Sequence, residues 1–320
     1  MRGKTIKWLA ALTAITALAL LTLRTPDTDI AEMVRKYGGS EARFIESSVG
    51  RIHYRDQGSR TGPVLLLLHG SNSSLQTWEG TVARLKQRYR VISFDLPGHG
   101  LTGPNPLDDY SIESAIEAGI AVLDAAKVRQ AVWIGNSAGG RTVWRAAIAR
   151  PDRVAGIVLV DATGARASEP LQLYFGARLA RSWLGQELLP YTLPRSVVIA
   201  SLKQNYANPG RITDAVTDRY WELARFPGNR RAAGIWASAS FDDRQWDRIG
   251  TIAAPTLLIW GEQDRVVPFS HAQAFAREIR GSRLRIIADA GHLPMEEQPD
   301  AFVEVLEPWL DQHWPAQPGR

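Results

Sequence analysis

The sequence of 320 residues contains no cysteine. Disulfide bonds, thiolate nucleophiles and cysteine-ligated metal sites are therefore excluded. The absence does not identify the compartment, because a chain without cysteine suits an oxidising exterior and a reducing cytosol equally well. The six histidines do not stand at the spacings of metal ligands, and no P-loop pattern is present. We therefore expect neither a metal nor a cofactor.

Most of the chain also has almost no net charge. The net charge is +5, but residues 1–24 hold Arg2, Lys4, Lys7 and Arg24 and no acid. Without these 4, the 38 basic residues become 34, against 33 acidic ones. The rest of the chain is close to neutral and has no basic stripe with interleaved aromatics. We therefore expect no nucleic-acid partner.

One long apolar run occurs, at the N-terminus. Trp8 to Leu23 carries no charge, follows basic residues and precedes Arg24. A spanning helix needs about 20 apolar residues and a signal-peptide core roughly 7–15, so this run falls between the two. Because the basic flank stays in the cytoplasm, we expect residues 1–24 to anchor the chain with its body in the periplasm or exterior. The alternative is a signal peptide cleaved near Ala17-Leu18-Ala19, which leaves a soluble secreted or periplasmic protein.

Short apolar runs alternate with helical patterns through the rest of the chain. Continuous runs of Val, Ile and Leu are typical of strands buried on both faces of a parallel sheet. They occupy residues 64–68, 91–94, 131–134, 157–160, 256–260 and 284–288. Between them, apolar residues recur at spacings of three and four, as from Ile112 to Leu123, with Ser111 as N-cap. The alternation predicts an α/β fold with a doubly wound, mostly parallel sheet, preceded by a hairpin over 43–47 and 50–55.

The alternation stops between residues 163 and 250. This interval is dense in aromatic residues, is interrupted by prolines and has one strand-like run, Ser196–Ala200. We predict a helical cap inserted into the sheet domain. The chain then divides into the N-terminal segment 1–24, a tether 25–42 with a short helix at Ile30–Lys36, a core at 43–162 and 251–314, the cap at 163–250 and a tail at 315–320.

The pattern Gly135-Asn136-Ser137-Ala138-Gly139 matches G-x-S-x-G. It follows an apolar run and precedes a helical pattern, which is the context that a nucleophilic serine on a sharp strand-to-helix turn requires. The helix N-terminus at this turn favours developing negative charge. Ser137 is therefore the candidate nucleophile.

A serine hydroxyl needs a base, and the base needs a carboxylate that sets its tautomer. His292 follows the last apolar run and is the candidate base. Asp264 and Asp161 each follow a strand-like run, and the order Ser…Asp…His holds for either. We favour Asp264 and keep Asp161 as its rival. Glu262 is expected at the surface or in a supporting contact.

The oxyanion formed in acyl transfer needs two hydrogen-bond donors. One is the backbone N–H of Ala138, directly after the nucleophile. The second is expected from the glycine-containing loop after residues 64–68, where Ser71 is favoured and Asn72 is the next choice. His69 in the same loop is expected to have a structural role.

Five segments, LLLLHG, DLPGHG, GNSAGG, WGEQDRVVP and AGHLPMEEQP, together resemble the α/β-hydrolase superfamily. The similarity runs from about residue 43 to 312 and points to the branch of small-molecule esterases, meta-cleavage-product C–C hydrolases and haloperoxidase-like proteins. It implies a triad of Ser137, Asp264 and His292, with Ser71 and Ala138 as oxyanion donors, and a mainly structural turn at residues 95–100. Haloalkane dehalogenases and epoxide hydrolases of this superfamily use an aspartate nucleophile, so the serine here disfavours both activities.

Three functions remain open at this point. The first is hydrolysis of a carboxylic ester of a small or medium apolar substrate through an acyl-enzyme on Ser137. The second is C–C bond hydrolysis of dienol-ketones, because GNSAGG resembles the GNSMGG turn of those enzymes, although their substrate-clamping cap arginine has no evident counterpart. The third is a non-catalytic binding protein, which the complete triad disfavours. Lactonase, thioesterase, amidase and perhydrolase activities, the natural substrate and the oligomeric state are not readable from the sequence.

Overall fold

The computed structural model describes residues 24–173, 175–238 and 244–314. Within these residues eight strands form one sheet in the order β1-β2-β4-β3-β5-β6-β7-β8. The strands are β1 (Arg43–Ser47), β2 (Gly50–Gly58), β3 (Val64–Leu68), β4 (Arg90–Phe94), β5 (Ala131–Asn136), β6 (Val154–Val160), β7 (Thr256–Gly261) and β8 (Arg283–Ile287). Strand β2 pairs antiparallel with β1 and β4, and the pairs from β4 to β8 are parallel. The predicted hairpin and mostly parallel sheet are confirmed.

Helices fill the connections, because parallel strands can be joined only by crossovers. The helices are α1 (Ile30–Met33), α2 (Glu79–Leu85), α3 (Ile112–Ala125), α4 (Ala138–Ala149), α5 (Phe175–Ala180), α6 (Trp183–Leu188), α7 (Arg195–Asn205), α8 (Asp214–Ala224), α9 (Asn229–Ser238), α10 (Phe269–Glu278), α11 (Pro294–Glu297) and α12 (Pro299–His313). Short segments of 3₁₀ or π-helix lie at Val34–Gly38, Leu75–Trp78, Pro151–Arg153, Pro209–Arg211 and Arg244–Thr251. At the start of α3 the Ser111 Oγ accepts the Ser114 N–H at 3.1 Å, as expected of the N-cap.

The central strands bury side chains on both faces of the sheet. In β3, Leu66 and Leu68 pack in one apolar cluster with α3 and α4, whereas Leu65 and Leu67 pack in a second cluster with α2 and α12. Neighbouring residues of a strand point to opposite faces, so an uninterrupted apolar run is what a two-sided sheet requires. Burial of the central strands on both faces therefore explains both the apolar runs in the sequence and the doubly wound architecture.

The interval between β6 and β7 is helical in its described part and holds α5 to α9. The one strand-like run predicted there, Ser196–Ala200, lies inside α7. Val197 and Val198 line the cavity, and Val198 also packs in the second apolar cluster with residues of α8. This insertion lies over the end of the sheet that carries the Ser137 turn, and its residues line the same cavity as Ser137.

Residues between Thr25 and Tyr37, in the segment predicted to be a tether, contact this insertion. The Thr25 N–H donates to the carbonyl of Tyr191 at 2.9 Å, and Arg230 donates to the Thr25 carbonyl at 2.6 Å. Farther along, Lys36 and Tyr37 bond Glu222 at 2.6 and 2.7 Å. The charged and hydroxyl groups that made the segment look like a solvated linker are the groups that bind it to the cap.

The expected anchor or signal peptide falls almost wholly on residues 1–23, which lie outside the described residues, as does the expected tail at 315–320. Among the residues that the structure describes, no helix has the length and apolar character needed to span a bilayer.

Candidate active site

Ser137 occupies the tight turn between β5 and α4. Its backbone has φ 55° and ψ −116°, a conformation that non-glycine residues adopt only under strain. The turn is held from both sides, because the Ser137 N–H donates to the Val160 carbonyl at 2.9 Å and the Ser137 carbonyl accepts the Thr163 N–H at 3.1 Å. The structure therefore has the strand–turn–helix context that the G-x-S-x-G pattern predicts, with the side chain at the positive end of α4.

Glycines allow a second loop to touch this turn. A Cβ on Gly139 would lie 2.5 Å from the carbonyl oxygen of His69, and a Cβ on Gly70 would lie 3.0 Å from the Ser137 Cβ. A side chain at position 139 would therefore collide with the His69 carbonyl and displace the backbone. The loop after β3, which holds Ser71, is therefore in direct contact with the Ser137 turn.

His292 follows β8 and bonds Asp264, which follows β7. The ring Nδ1 of His292 lies 2.9 Å from Asp264 Oδ2. The other carboxylate oxygen of Asp264 accepts the N–H groups of Val266 and Val267 at 2.7 and 3.0 Å. Because an ionised carboxylate can only accept, Nδ1 carries the proton and Nε2 presents its lone pair.

Asp161, the rival carboxylate, lies beside this pair and is fully buried. One ligand atom each from Asp161, Asp264 and His292 lie within 4.8 Å of one another. Burial first, and then the negative charge of Asp264, raise the pKa of Asp161 well above its ordinary value. The ring of His292 bonds Asp264 through Nδ1, so no metal is needed to explain the grouping, and we assign none.

The residues proposed as oxyanion donors line one cavity with Ser137 and His292. Ser71 lies on the loop after β3, and Ala138 is the first residue of α4. The first N–H groups of a helix have no acceptor within the helix, so the Ala138 N–H is available to a ligand. Asn72, the next choice to Ser71, also lines the cavity and has a left-handed backbone with φ 57°.

The cavity has a volume of about 500 Å³ and lies between the sheet and the cap. Typical small-molecule sites have volumes of roughly 300–1,000 Å³ and mostly apolar walls. Aliphatic residues form much of the cap wall here: Leu171, Leu173, Leu189, Leu193, Val197, Val198, Leu202 and Leu223. Among the aromatic residues of the cap that the structure describes, Tyr220 and Trp236 line the cavity. Tyr206, Phe226 and Trp246 are buried in the packing, and Trp183 and Tyr191 are exposed.

Glu296 joins the cap to the core beside the cavity. Its carboxylate accepts the Tyr220 hydroxyl of α8 at 2.8 Å and the Thr77 hydroxyl of the core at 2.7 Å, and it pairs with Arg219. Burial raises the pKa of the Tyr220 hydroxyl, which therefore stays protonated and donates. The network fixes one wall of the cavity.

The neighbouring Glu297 supports the His292 loop, a role that the sequence did not reveal. Its buried carboxylate accepts the N–H groups of Gly291, Ala207 and Asn208 at 2.9, 3.0 and 2.8 Å. Asn136 also supports the loop, because its Nδ2 donates to the His292 carbonyl at 2.9 Å. The segment AGHLPMEEQP contains Glu297, but its cap partners are distant in sequence, so no local pattern could identify them.

The other histidines near the site have structural bonds. His69 Nε2 accepts the Leu96 N–H at 3.0 Å, in keeping with the structural role expected for it. His53 bonds the buried Asp95 at 2.7 Å, and Asp95 also accepts the N–H groups of Leu75 and Leu101 at 2.7 and 2.8 Å. Glu262 is exposed after β7. The 95–100 turn therefore holds loops together around the site.

Comparison with known proteins identifies similar chains. A family model described as alpha/beta hydrolase fold matches residues 63–299. An uncharacterized protein of Mycobacterium tuberculosis is 31% identical over 284 residues, which cover 83% of this chain and 80% of the relative.

Two solved structures are similar at 25% identity, each with a TM-score of 0.72. One is a thermophilic esterase from Thermogutta terrifontis, matched over 86% of this chain and 100% of that chain. The other is a meta-cleavage product hydrolase, CumD, from Pseudomonas fluorescens, matched over 84% of this chain and 98% of that chain.

Proposed function

This chain belongs to the α/β-hydrolase fold family, and we propose that it is a serine hydrolase that cleaves carboxylic esters through an acyl-enzyme on Ser137. The observation that carries the proposal is the 2.9 Å bond between Asp264 and the Nδ1 of His292, a residue that lines the same cavity as Ser137. The esterase among the similar structures supports it.

The proposed chemistry follows from the tautomer of His292. Its Nε2 lone pair takes the Ser137 hydroxyl proton while the oxygen attacks the ester carbonyl, and Asp264 stabilises the imidazolium that forms. The backbone N–H groups of Ala138 and Ser71 receive the oxyanion. The imidazolium then gives its proton to the leaving alcohol, and water repeats the sequence to release the acid.

The substrate class follows from the cavity. Its aliphatic walls favour an apolar acyl or alcohol group of small or medium size. Charged side chains also reach the cavity, among them Arg141 and Arg145 from α4 and Arg181 from the cap. The proposed substrate class therefore allows a polar substituent beside the apolar group.

C–C bond hydrolysis is the second candidate, and the cap residue Arg181 is the observation that favours it. Arg181 lines the cavity and is a candidate for the clamping arginine that the sequence pattern did not locate. Against this, Asn136, the residue shared with the GNSMGG turn, is engaged with the His292 carbonyl. The presence of Asn136 is therefore explained by its bond to the His292 loop and does not point to a particular substrate.

We also propose that residues 1–23 hold the protein at a membrane. The described chain begins beside the connection between α6 and α7, where Thr25 bonds both Tyr191 and Leu193. Tyr191, which Thr25 contacts, is 61% exposed, and Trp183 at the start of α6 is 77% exposed. Trp and Tyr are favoured where protein meets the lipid interface. In the sequence, the apolar run ends at Leu23, two residues before Thr25.

A hydrolysis screen tests the proposed activity. Purified protein is offered p-nitrophenyl esters of graded chain length beside a meta-cleavage dienol-ketone, with Ser137→Ala as the matched blank. We expect ester turnover that the variant lacks, and labelling of Ser137 by a fluorophosphonate. Turnover of the dienol-ketone alone selects the second candidate, and no turnover with no Ser137 labelling refutes both.

A further inference from the structure

Asp161 is a second carboxyl group buried against the proposed triad. It follows β6 with a left-handed backbone, φ 45°, and its side chain is fully buried. Oδ1 accepts the Gly261 N–H at 2.9 Å. Oδ2 is buried and receives no hydrogen from a donor group of the described residues. A buried carboxylate oxygen without a donor is costly, whereas a protonated one is itself a donor.

Asp264 has the opposite environment. Its Oδ1 accepts two backbone N–H groups, from Val266 and Val267, and its Oδ2 accepts from the ring of His292. Hydrogen bonds to the charged form stabilise it. Of two adjacent carboxyl groups that share one proton, the one with more donors keeps the negative charge, so the proton belongs on Asp161.

The surrounding groups support this distribution. His292 bonds Asp264, and His271 of α10 interacts electrostatically with the same carboxylate. Burial lowers the pKa of His271, so it brings no positive charge at neutral pH. Burial, the charge of Asp264 and a hydrogen bond with its side chain all raise the pKa of Asp161.

We infer that Asp161 is a positioning residue that stays protonated and donates its hydrogen to the Asp264 carboxylate, holding that carboxylate in the orientation that His292 needs. The inference rests on the proposed function for its catalytic consequence. The protonation state itself is a property of the fold and is testable without any substrate. In this arrangement Asp161 and Asp264 are not alternatives. Asp264 accepts a hydrogen bond from His292, and Asp161 donates one to Asp264.

The substrate-free experiment measures unfolding against pH in the Ser137→Ala background. A native Asp161 that keeps its proton, while the unfolded chain loses it above about pH 4, makes the native state bind more protons. Stability then falls as pH rises, by up to about tenfold in the unfolding equilibrium constant per pH unit. Asp161→Asn removes this loss, so its stability relative to the parent should increase from pH 4 toward neutrality. Asp289→Asn is the matched control, an exposed strand-end aspartate with φ 53°.

The kinetic experiment compares Asp161→Asn with Asp161→Leu on an ester substrate. The amide retains a donor, so we expect kcat within about threefold of the parent and an unchanged acid limb of the kcat/KM profile. Leucine has no donor, so Asp264 becomes more basic, and we expect a loss of at least tenfold in kcat with the acid limb shifted to higher pH. If Asp161 only fills space, the acid limbs of the kcat/KM profiles of Asp161→Asn and Asp161→Leu should not differ.

Three outcomes overturn the inference. The first is a pH slope of stability that Asp161→Asn leaves unchanged. The second is loss of activity in Asp161→Asn that matches or exceeds the loss in Asp264→Asn. The third is inactivation by a chelator with recovery on adding a divalent cation, which indicates a shared cation in place of a shared proton. If the stability result holds while no ester is cleaved, the proposed function fails and the protonation of Asp161 stands.

Discussion

The backbone N–H of His292 donates to the carbonyl of Asn205, the last residue of α7, at 2.7 Å. The loop that carries the proposed base is thereby bonded to the cap as well as to the sheet. Glu297 reinforces the same junction through Ala207 and Asn208. A displacement of α7 is therefore expected to move His292. The positions of the inserted helices and of the proposed base are coupled in this way.

Replacing Asp264 tests which carboxylate serves the base. Asp264→Asn should reduce turnover by about 10⁴-fold, as for a triad aspartate whose loss permits the wrong imidazole tautomer. Steady-state kinetics on the best p-nitrophenyl ester measures this, with circular dichroism to confirm the fold. An Asp264→Asn enzyme that retains most of its turnover contradicts the assignment.

Glu297 offers a test of the cap-to-loop junction. Glu297→Ala leaves three backbone N–H groups without their acceptor, and we expect a loss of about 3 kcal/mol in the free energy of unfolding. Glu297→Gln keeps one acceptor oxygen and should lose less, whereas the exposed Glu304→Gln on α12 is the control. Chemical denaturation measures the stabilities. Equal stability of the alanine variant and the parent argues against the junction.

The sequence could predict the sheet because a strand buried on both faces requires an apolar residue at every position, which is visible locally. It could also predict the Ser137 turn, since the glycines and the strand before them are contiguous. It favoured Asp264 over Asp161 as the partner of His292 but could not assign Asp161 a role of its own, because both follow strands and their difference lies in which N–H groups surround each one. Nor could it find the contacts of Thr25 or Glu297, whose partners are determined by tertiary packing.

His99 predicts a sensitivity to acid. Burial, and next the nearby His69, lower the pKa of His99 to about 3, while Asp95 acts in the opposite direction. The native state therefore keeps His99 neutral, whereas the unfolded chain takes up a proton below its ordinary pKa of about 6.5. Stability should fall as pH drops from about 6.5 toward 3.

Thermal unfolding of His99→Asn tests this acid sensitivity. The variant should lose less stability than the parent over the same pH range, even if it is less stable at neutral pH. His313→Asn, at the end of α12, serves as the control substitution. Parallel pH curves for His99→Asn and the parent contradict the prediction.

Truncations separate the N-terminal run from the segment that packs on the cap. Removing residues 1–23 should leave ester turnover unchanged and release the protein from membranes. Removing residues 1–29 also deletes Thr25 and Asp27, which bond Arg230, and should lower the unfolding temperature. Fractionation with N-terminal sequencing checks the location. A mature N-terminus near Leu20 in the soluble fraction supports a cleaved signal, and full-length protein free in the cytosol excludes both anchor and signal.

The position of β8 at the edge of the sheet has a consequence for biosynthesis. Ser137 follows the central strand β5, whereas His292 and Glu297 follow the edge strand β8 and leave the ribosome later than Ser137. The cap, whose helix α7 must receive the His292 loop, is made between them. During synthesis of the 155 residues from Ser137 to His292, the nascent chain holds the serine without the group proposed to activate it. Hydrolytic competence is expected only after the edge strand β8 has paired with β7 and brought the His292 loop to the site.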